Sequence, residues 1–325
     1  MHTEDPVERK EEPQRPRTIC VTGGAGFIGS HLVDAWLKDG HRVLVIDDLS
    51  TGQTGNLPPG VELHILDIGS QQAARLVETT GVDVLVHQAA QMNIRRSVDD
   101  VLFDAEVNVL GSLNLFEAAR RGGVEQILFA STGGAIYGEQ DHFPASEEHP
   151  TSPLSPYGAA KLACESYLYV YHQVFDLNVT CLRYANVYGP RQNPKGEAGV
   201  VAIFLERLLA DLPCVIHGDG EQTRDYIYIE DVVAANRACL GKQGFQIYNV
   251  GTGIEASVNT IYRELAKAVG CDDEPTYGPA KAGEQRRSSI DPAKAHGDLA
   301  LPTPISLEAG LGKTVEWYRR HGAGV

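Results

Sequence analysis

The sequence predicts an α/β fold in which a doubly wound parallel sheet carries a smaller C-terminal substrate-binding lobe. Apolar strands and helices alternate from residue 17 to about residue 184, a pattern typical of parallel sheets covered by helices. The chain of 325 residues is long enough to bury a large core. Short apolar pieces at 214–217, 226–229 and 246–250 suggest a chain that returns to the main sheet while it builds the lobe. The expected parts are a disordered tail at 1–16, a nucleotide-binding domain at 17–186 and about 226–250, and the lobe at about 187–225 and 251–325.

The first βα unit has the pattern of a dinucleotide-binding Rossmann turn. The apolar run Thr18–Val21 leads into a glycine-rich turn, and apolar residues then recur at helical spacing until Gly40. In such a turn the first glycine permits the tight bend, the second lets the backbone approach a pyrophosphate, and the third lets helix and strand pack closely. The start of the helix adds free N–H groups and a partial positive charge. The residues expected to contact the cofactor here are Gly23, Gly26, Phe27, Ile28 and Gly29.

An acidic pair indicates which nicotinamide cofactor is bound. Asp47 and Asp48 end the second apolar strand, about 20 residues after the glycines, where an acid bonds the ribose hydroxyls of NAD. A 2′-phosphate would be repelled at this place, so we expect NAD and not NADP. A glycine-rich turn alone also closes ordinary loops, but this one has the strand, the helix and the acid around it. Its spacing, Gly-x-x-Gly-x-x-Gly, differs from the usual Gly-x-Gly-x-x-Gly and points to one superfamily.

A phenol and an ammonium lie one helical turn apart in the middle of the chain. The segment from Ser155 to Val174 reads as a helix with Pro156 near its start, which places Tyr157 and Lys161 on one face. A tyrosine has an ordinary pKa of about 10 and is a poor base at neutral pH, but a nearby cation favours its phenolate. Beside a dinucleotide site, the pair predicts redox chemistry at a carbon that bears a hydroxyl. Without that site, the pair would fit an ordinary amphipathic helix.

Two hydroxyl residues follow the apolar strand that precedes this helix. Ser131 and Thr132 come directly after Gln126–Ala130, and the ends of parallel strands face the ligand crevice. Either hydroxyl could bond a substrate oxygen, and either could instead cap a turn. His87 also ends an apolar strand, and a structural role is expected for it.

These motifs resemble the extended short-chain dehydrogenase/reductase superfamily, in particular its NAD-dependent epimerase/dehydratase family and, within that, the UDP-glucose (UDP-galactose) 4-epimerases. The likeness runs from about residue 17 to residue 321. The resemblance implies a homodimeric isomerase that keeps NAD bound and acts on a UDP-sugar. Further segments that carry it are Asp67-Ile68, His87–Gln91, Val107–Gly111, Arg183–Pro190, Arg224–Val232 and Tyr248–Gly251.

The resemblance also assigns roles to single residues. It implies that Tyr157 is the acid/base, that Lys161 holds the nicotinamide ribose, and that Thr132 or Ser131 bonds the sugar O4. Further cofactor contacts are implied for Asp47, Asp48, Asp67, Ile68, Gln88, Ala89, Ala90, Asn108 and Tyr184. Substrate contacts are implied for Thr132, Asn186, Gly199, Val200, Arg224, Lys281 and Glu284.

The chain departs from the family's pattern in three places. Gly133 stands where many members have a third hydroxyl, and we therefore prefer Thr132, which keeps the usual separation from Tyr157. Lys281 replaces a phosphate-binding arginine, and a lysine binds phosphate only as a point charge. Glu284 replaces an aspartate on the uridine ribose.

The loop before Tyr137 separates the epimerases from their relatives. Sugar-nucleotide dehydratases carry an Asp-Glu pair there and UDP-glucuronate decarboxylases carry a Glu, whereas this chain has Gly133–Ala135. The remaining set favours reversible C4 epimerisation through a 4-keto intermediate. Ser288, counted from Glu284, is small at a position that is small in members that also accept N-acetylated sugars, although it could simply be a surface serine.

Two other functions stay open. The first is another extended short-chain enzyme on nucleotide sugars, either a reductase, which would release NADH in step with product, or a uronate 4-epimerase, which would need a further cation near the sugar C6. The second is a regulator that senses dinucleotide without catalysis. The presence of both Tyr157 and Lys161 argues against the regulator.

Composition limits the partners. The net charge of −15 and the pI of about 5.1 argue against nucleic acid and anionic membranes. We expect no transmembrane helix, because no apolar run reaches about 18 residues, and the charged, proline-containing start resembles a disordered tail and not a signal peptide. Six scattered cysteines without a Cys-x-x-Cys indicate a reducing cytoplasm, with neither disulfides nor metal. The apolar segments 101–119 and 157–174 are candidate dimer faces, or they only cover the sheet.

Overall fold

The computed structural model describes residues 15–194, 199–280 and 285–322. Strands and helices alternate along the first part of the chain, as the sequence predicts. The strands are β1 (Thr18–Thr22), β2 (Arg42–Asp47), β3 (Glu62–Ile65), β4 (Val84–His87), β5 (Gln126–Thr132), β6 (Asn178–Tyr184), β7 (Asn186–Tyr188), β8 (Val215–His217), β9 (Thr223–Tyr228), β10 (Phe245–Val250), β11 (Glu255–Ser257), β12 (Thr276–Gly278) and β13 (Arg287–Ser288). The α-helices are α1 (Phe27–Lys38), α2 (Gln71–Thr79), α3 (Ile94–Asp99), α4 (Val101–Ala105), α5 (Ser112–Gly122), α6 (Gly133–Ile136), α7 (Pro156–Phe175), α8 (Val200–Leu209), α9 (Ile229–Cys239), α10 (Val258–Val269), α11 (Ala293–Leu299) and α12 (Leu307–His321).

A seven-stranded parallel sheet forms the centre of the molecule. Its strand order is β3-β2-β1-β4-β5-β6-β10, and every neighbouring pair is parallel. The order reverses between β1 and β4, and ligands of open α/β sheets bind at such a switch point. The predicted doubly wound parallel sheet is therefore confirmed, and the glycine turn follows β1 at the switch point.

The central strands pack into two cores, one on each face of the sheet. Ile19 and Val21 belong to one core and Cys20 to the other, and all three are fully buried. Side chains alternate across a strand, so a sheet with two buried faces needs nearly continuous apolar strands. Helices α1 and α9 contact each other on the first face, while α5 contacts both α2 and α7 on the second.

The C-terminal part adds two smaller sheets. Strand β9 pairs antiparallel with β11 and parallel with β7 and β13, while β8 and β12 form a parallel pair. Of the three later apolar pieces, β10 therefore joins the central sheet, whereas β8 and β9 pair outside it. The division of the chain into two lobes at the stated residues stays a prediction. Within the described ranges, no helix combines the length and the apolar character needed to span a bilayer.

Candidate active site

The glycine turn is fixed by backbone geometry. Gly23 has a φ of +65°, which glycine adopts without strain, and its N–H donates to the Ile46 carbonyl at 2.8 Å. A Cβ on Gly29 would collide with the Gly23 carbonyl oxygen and would lie 2.8 Å from Gly24 Cα. A Cβ on Gly23 would lie 2.8 Å from the Ala89 nitrogen, just after β4. The turn therefore presents bare backbone and the start of α1 at the switch point, which is the form of a pyrophosphate cradle.

The predicted acids lie beside this turn. Asp47 is buried at the end of β2, and its two carboxylate oxygens accept from the Ala25 and Leu49 N–H groups, each at 2.9 Å. Burial raises the pKa of Asp47, while these N–H groups act in the opposite direction. Asp48 is exposed, and its carboxylate accepts from the Ser50 hydroxyl at 2.6 Å. Asp47 therefore ties the turn to β2, and its bond to the adenosine ribose stays a prediction.

The predicted cofactor residues after β3 differ in exposure. Asp67 is exposed, and its Oδ1 accepts from the Gly69 N–H at 2.7 Å. Ile68 is buried against Gly111, where an added Cβ would lie 2.9 Å from Ile68 Cγ1. The Ile68 side chain therefore serves packing, and Asp67 is the more accessible of the two.

The hydroxyl of Tyr184 lies in a hydrogen-bonded cluster near the switch point. Gln88 Nε2 donates to it at 3.2 Å, and Asn236 Nδ2 donates to it at 2.9 Å. Burial raises the pKa of Tyr184 to about 12, so the phenol stays neutral at physiological pH. Ala90, two residues after Gln88, is half-buried. Tyr184 can therefore orient a neighbouring ring, but it does not supply a phenolate at neutral pH.

Asn108 lies in a π-helical segment, Glu106–Gly111, between α4 and α5. It is buried, its Oδ1 accepts from the Gln91 N–H at 2.9 Å, and its Nδ2 donates to Asp104 at 2.9 Å. The side chain of Asn108 therefore holds the segment that follows β4. Asn108 would therefore affect a cofactor site indirectly, by fixing the position of that segment.

Helix α7 carries the predicted acid/base pair to the end of β5. Ser155 caps the helix by accepting from the Gly158 N–H at 3.1 Å, and Pro156 occupies the first turn. Lys161 is buried, its Nζ donates to the Ala130 carbonyl at 2.9 Å, and it lies 6.0 Å from the centre of the Tyr157 ring. The structure thus brings the pair together at the end of the strand that carries the two candidate hydroxyls.

Two glycines let the chain close around this place. A Cβ on Gly158 would lie 2.7 Å from the Ala135 carbonyl oxygen, so α7 approaches the loop after β5 closely. A Cβ on Gly134 would lie 4.0 Å from Thr132 Oγ1 and 3.6 Å from Asn186 Oδ1. Thr132, Asn186 and the start of α7 therefore border one small region.

The two candidate hydroxyls have different surroundings. Ser131 is buried, and its Oγ donates to Glu165 Oε1 at 2.5 Å. Thr132 is half-buried, and its Oγ1 borders Gly134 on the side of Asn186. The geometry therefore favours Thr132 as the hydroxyl that meets a ligand, because Ser131 has its partner inside the protein.

Burial also sets the charge of Lys161. It lowers the pKa of this ammonium to about 8, while the neighbouring Cys164, Asp104 and Glu165 act in the opposite direction. The group is therefore still mainly protonated at neutral pH. A cation in this position favours the phenolate of a tyrosine beside it.

The substrate side is assembled from strands that are distant in sequence. Arg224 of β9 lies opposite Ser288 of β13, and its guanidinium donates to the Thr223 carbonyl at 2.7 Å. Ser288 is buried, so it is not a surface serine. Gly199 precedes α8, Val200 begins it, and among the described residues no side chain caps that helix. The predicted substrate residues outside the described ranges are Lys281 and Glu284.

Comparison with known proteins places the chain in a family. Residues 19–251, which are more than half of the chain, match the family described as "NAD dependent epimerase/dehydratase family". The chain belongs to this family. The family resemblance predicted from the glycine turn and the Tyr-Lys pair is therefore confirmed.

Several relatives cover nearly the whole of this epimerase/dehydratase. The UDP-glucose 4-epimerase of Mycolicibacterium smegmatis is 46% identical over 309 residues, which are 93% of this chain and 98% of that protein. The crystal structure of UDP-glucose 4-epimerase with UDP-glucose from Thermotoga maritima matches with a TM-score of 0.91 at 43% identity, covering 94% of this chain and 99% of the other. The crystal structure of the Thermus thermophilus UDP-glucose 4-epimerase in complex with NAD gives a TM-score of 0.88 at 42% identity. The match covers 93% of this chain and 99% of the other.

Sequence reasoning missed two buried acids of this epimerase/dehydratase. Glu165 pairs with Arg183 beneath the end of β5. Asp225 accepts from the Thr252 N–H at 2.9 Å and thereby holds the turn after β10 next to Arg224. Their positions in the sequence could have indicated both acids. Glu165 follows Lys161 by one helical turn and so shares its helix face, and Asp225 follows Arg224 directly.

Proposed function

We propose that the protein is an NAD-dependent UDP-glucose 4-epimerase that interconverts UDP-glucose and UDP-galactose. The observation that carries the proposal is the arrangement of Tyr157, Lys161 and Thr132 at the end of β5, one strand away from β4 and the switch point. Identity above 40% to UDP-glucose 4-epimerases over nearly the whole chain supports the choice of substrate. The loop Gly133–Ala135 carries no carboxylate, which argues against a dehydration.

The residues present fit NAD. The turn from Gly23 to Gly29 would hold the pyrophosphate, since its glycines leave no space for a Cβ and present the start of α1. Asp47 would bond the adenosine ribose, and Lys161 the nicotinamide ribose. When bound, NAD would supply a reversible hydride acceptor for the sugar C4, which either face of the ring could approach.

The protein's own groups move the proton and hold the sugar. Tyr157 Oη takes the proton of the 4-hydroxyl as the C4–H bond breaks, and it gives the proton back when C4 is reduced again. The Lys161 cation favours the phenolate form, and the Thr132 hydroxyl donates to the sugar O4. Arg224 would hold the diphosphate while the 4-keto sugar turns its other face toward the cofactor.

The test is conversion of UDP-galactose to UDP-glucose by the purified protein with no cofactor added. Tyr157→Phe should lower kcat by about 100- to 10,000-fold, because it removes the proton acceptor. Tyr277→Phe, at an exposed tyrosine, is the matched control and should retain full activity. Failure of the unaltered protein to convert UDP-galactose, even with added NAD, would contradict the proposal and favour a uronate epimerase or a reductase.

The proposal includes the N-acetylated pair of UDP-sugars. Ser288 is small, buried and paired in register with Arg224, the residue expected at the diphosphate. A small side chain there would leave space for an N-acetyl group. The same assay with UDP-N-acetylgalactosamine tests this, and absence of product at high enzyme concentration would restrict the enzyme to glucose and galactose.

The proposal also includes a homodimer. Helices α3, α4 and α7 contact one another and carry exposed apolar side chains, among them Val98, Leu102, Val170 and Val174. Leu102 is 83% exposed, and such a patch on a soluble enzyme is typical of an interface. Light scattering should give twice the mass of the chain, and Leu102→Asp should shift it toward the monomer. A monomer for the unaltered protein would contradict the dimer.

A cytoplasmic location completes the proposal. All six cysteines are free thiols, and five of them are buried. Thiols persist in a reducing compartment. Cell fractionation would test the location, and recovery of the protein outside the cytoplasm would contradict it.

A further inference from the structure

A buried ion pair lies beneath the catalytic end of the sheet. Glu165 of α7 accepts from Arg183 of β6 twice, at 3.0 Å from Nε to Oε1 and at 2.6 Å from NH2 to Oε2. Each side chain is only 4% exposed. Burying two charges gives little net stability compared with apolar side chains, so the pair is better explained by what it positions.

The pair is bonded to the strand that carries the candidate hydroxyl. Ser131 Oγ donates to Glu165 Oε1 at 2.5 Å, and Thr132 is the next residue. One turn earlier on the same helix, Lys161 Nζ donates to the Ala130 carbonyl at 2.9 Å. Helix α7 is therefore fastened to two consecutive residues of β5, directly before Thr132.

Arg183 extends the network to Tyr137, which follows α6. Its NH1 donates to the Tyr137 hydroxyl at 2.9 Å, and that hydroxyl donates to Asn249 Oδ1 at 2.6 Å. Asn249 Nδ2 in turn donates to the Ala145 carbonyl at 2.9 Å. The segment from Thr132 to Tyr137, which contains α6, is thus held at both ends by one buried network.

We propose that Glu165, through Arg183 and Ser131, is a positioning residue that fixes α7 to the end of β5 and so sets the placement of Tyr157 and Lys161 relative to Thr132. This inference rests on the proposed epimerase function. Without the pair, the helix and the strand would remain packed, but the relative placement of the reacting groups would loosen. A displacement of about 1 Å in such a site can lower the rate about 100-fold.

The charge of Glu165 has a second effect that supplies a readout. Around Lys161 lie Tyr157, Cys164 and Glu165 of α7, Asp104 of α4 and the neutral His87 of β4. Burial lowers the pKa of Lys161 to about 8, and Glu165 opposes this lowering. Loss of the Glu165 charge therefore lowers the pKa of Lys161 further. Deprotonation of Lys161 should form the alkaline limb of the kcat–pH profile, and that limb should move to lower pH.

The test is Glu165→Gln, which keeps the shape of the side chain and removes its charge. We expect kcat for UDP-galactose to fall about 10- to 100-fold, with the alkaline limb of its pH profile shifted to lower pH. The KM and the amount of retained NAD should stay within about twofold, because the glycine turn, Asp47 and Arg224 lie outside this network and would still hold the pyrophosphate, the adenosine ribose and the substrate diphosphate. An unchanged kcat, or a lowered kcat with the alkaline limb in place, would overturn the inference.

Three further variants keep the test decisive. Glu308→Gln removes an exposed carboxylate paired with Lys267 at 2.8 Å and should change neither kcat nor the pH profile. Glu165→Asp keeps the charge and should leave the alkaline limb near its original position.

If Glu165→Gln fails to fold with Arg183 unpaired, the double variant Glu165→Gln/Arg183→Gln removes both charges and should show the same two changes, a lower kcat and an alkaline limb at lower pH. A double variant with unaltered kcat would overturn the inference, whereas inactivity of the unaltered protein would overturn the proposed function itself.

Discussion

The two halves of the candidate site are built in different ways. On the cofactor side, Gly23, Gly29 and Asp47 belong to one βαβ unit and are fixed by contacts within that unit. On the substrate side, Arg224 and Ser288 come from β9 and β13, which meet only because two distant parts of the chain pair. The cofactor side therefore depends on local geometry, whereas the substrate side depends on the assembly of the C-terminal part. Substitutions in the two halves should have different consequences.

The largest effect is expected at the third glycine of the turn. Gly29→Ala would place a Cβ against the Gly23 carbonyl oxygen and 2.8 Å from Gly24 Cα, and neither backbone atom can move without opening the turn. We expect retained NAD to be lost and the free energy of unfolding to fall by about 3 kcal/mol, the upper part of the range for overpacking. Urea unfolding and the NAD released by acid from the purified protein would measure both.

A matched glycine separates this effect from the substitution itself. Gly312 lies exposed within α12, and a Cβ there would have no atom within 4 Å among the described residues. Gly312→Ala should therefore raise the free energy of unfolding by about 0.5–1 kcal/mol and leave NAD in place. Equal NAD content in the two variants would mean that the glycine turn is not the cofactor cradle.

A smaller and more selective effect is expected on the substrate side. Arg224→Gln removes the guanidinium that we place at the diphosphate, and hydrogen bonds to charged groups contribute about 1.5–3 kcal/mol. The KM for UDP-galactose should therefore rise about 10- to 100-fold, while retained NAD stays unchanged. Arg42→Gln is the control, because Arg42 is an exposed arginine paired with Glu62 at 2.9 Å. If Arg224→Gln instead lost NAD with an unchanged KM, the arginine would belong to the cofactor side.

The same contrast explains what the sequence could predict. Patterns within a few residues predict the central sheet, the glycine turn with Asp47, and the pair Tyr157 and Lys161. In the structure Asp47 is bonded to the turn, and Lys161 lies near the Tyr157 ring. The pairing of β9 with β13 could not be predicted, because β13 has only two residues and so shows no strand pattern of its own. The sequence also left Ser131 and Thr132 as alternatives.

The choice between those two hydroxyls depends on a tertiary contact. Ser131 donates to Glu165 of α7, and that bond leaves Thr132 beside Asn186. Neither the strand pattern nor the resemblance contains the Glu165–Arg183 pair, because it joins a helix to the strand after it. Long-range polar contacts of this kind are the part of a site that periodicity does not report.

The effect that is smallest at neutral pH concerns one buried titratable group from each half. His87 of β4 is fully buried between the Thr22 hydroxyl at 2.8 Å and the Ser112 hydroxyl at 2.9 Å, and burial lowers its pKa to about 3. Asp225 of β9 is also buried, and burial raises its pKa. The two groups therefore act on stability in opposite directions as the pH falls.

The sign follows from proton binding in the two states. Between pH 6.5 and about 3 the unfolded chain protonates His87 and the folded protein does not, so this residue lowers the free energy of unfolding as the pH falls through that window. Asp225 is protonated more readily in the folded protein, so in the pH window just above 3.8 it adds stability as the pH falls.

His87→Asn should flatten the acid-induced loss of stability, whereas Asp225→Asn should steepen it near pH 4. Urea unfolding at successive pH values would compare the slopes, with the exposed His321→Asn as control. A His87→Asn slope equal to that of the unaltered protein would contradict the prediction, because it would mean that His87 binds the same number of protons in the folded and the unfolded state.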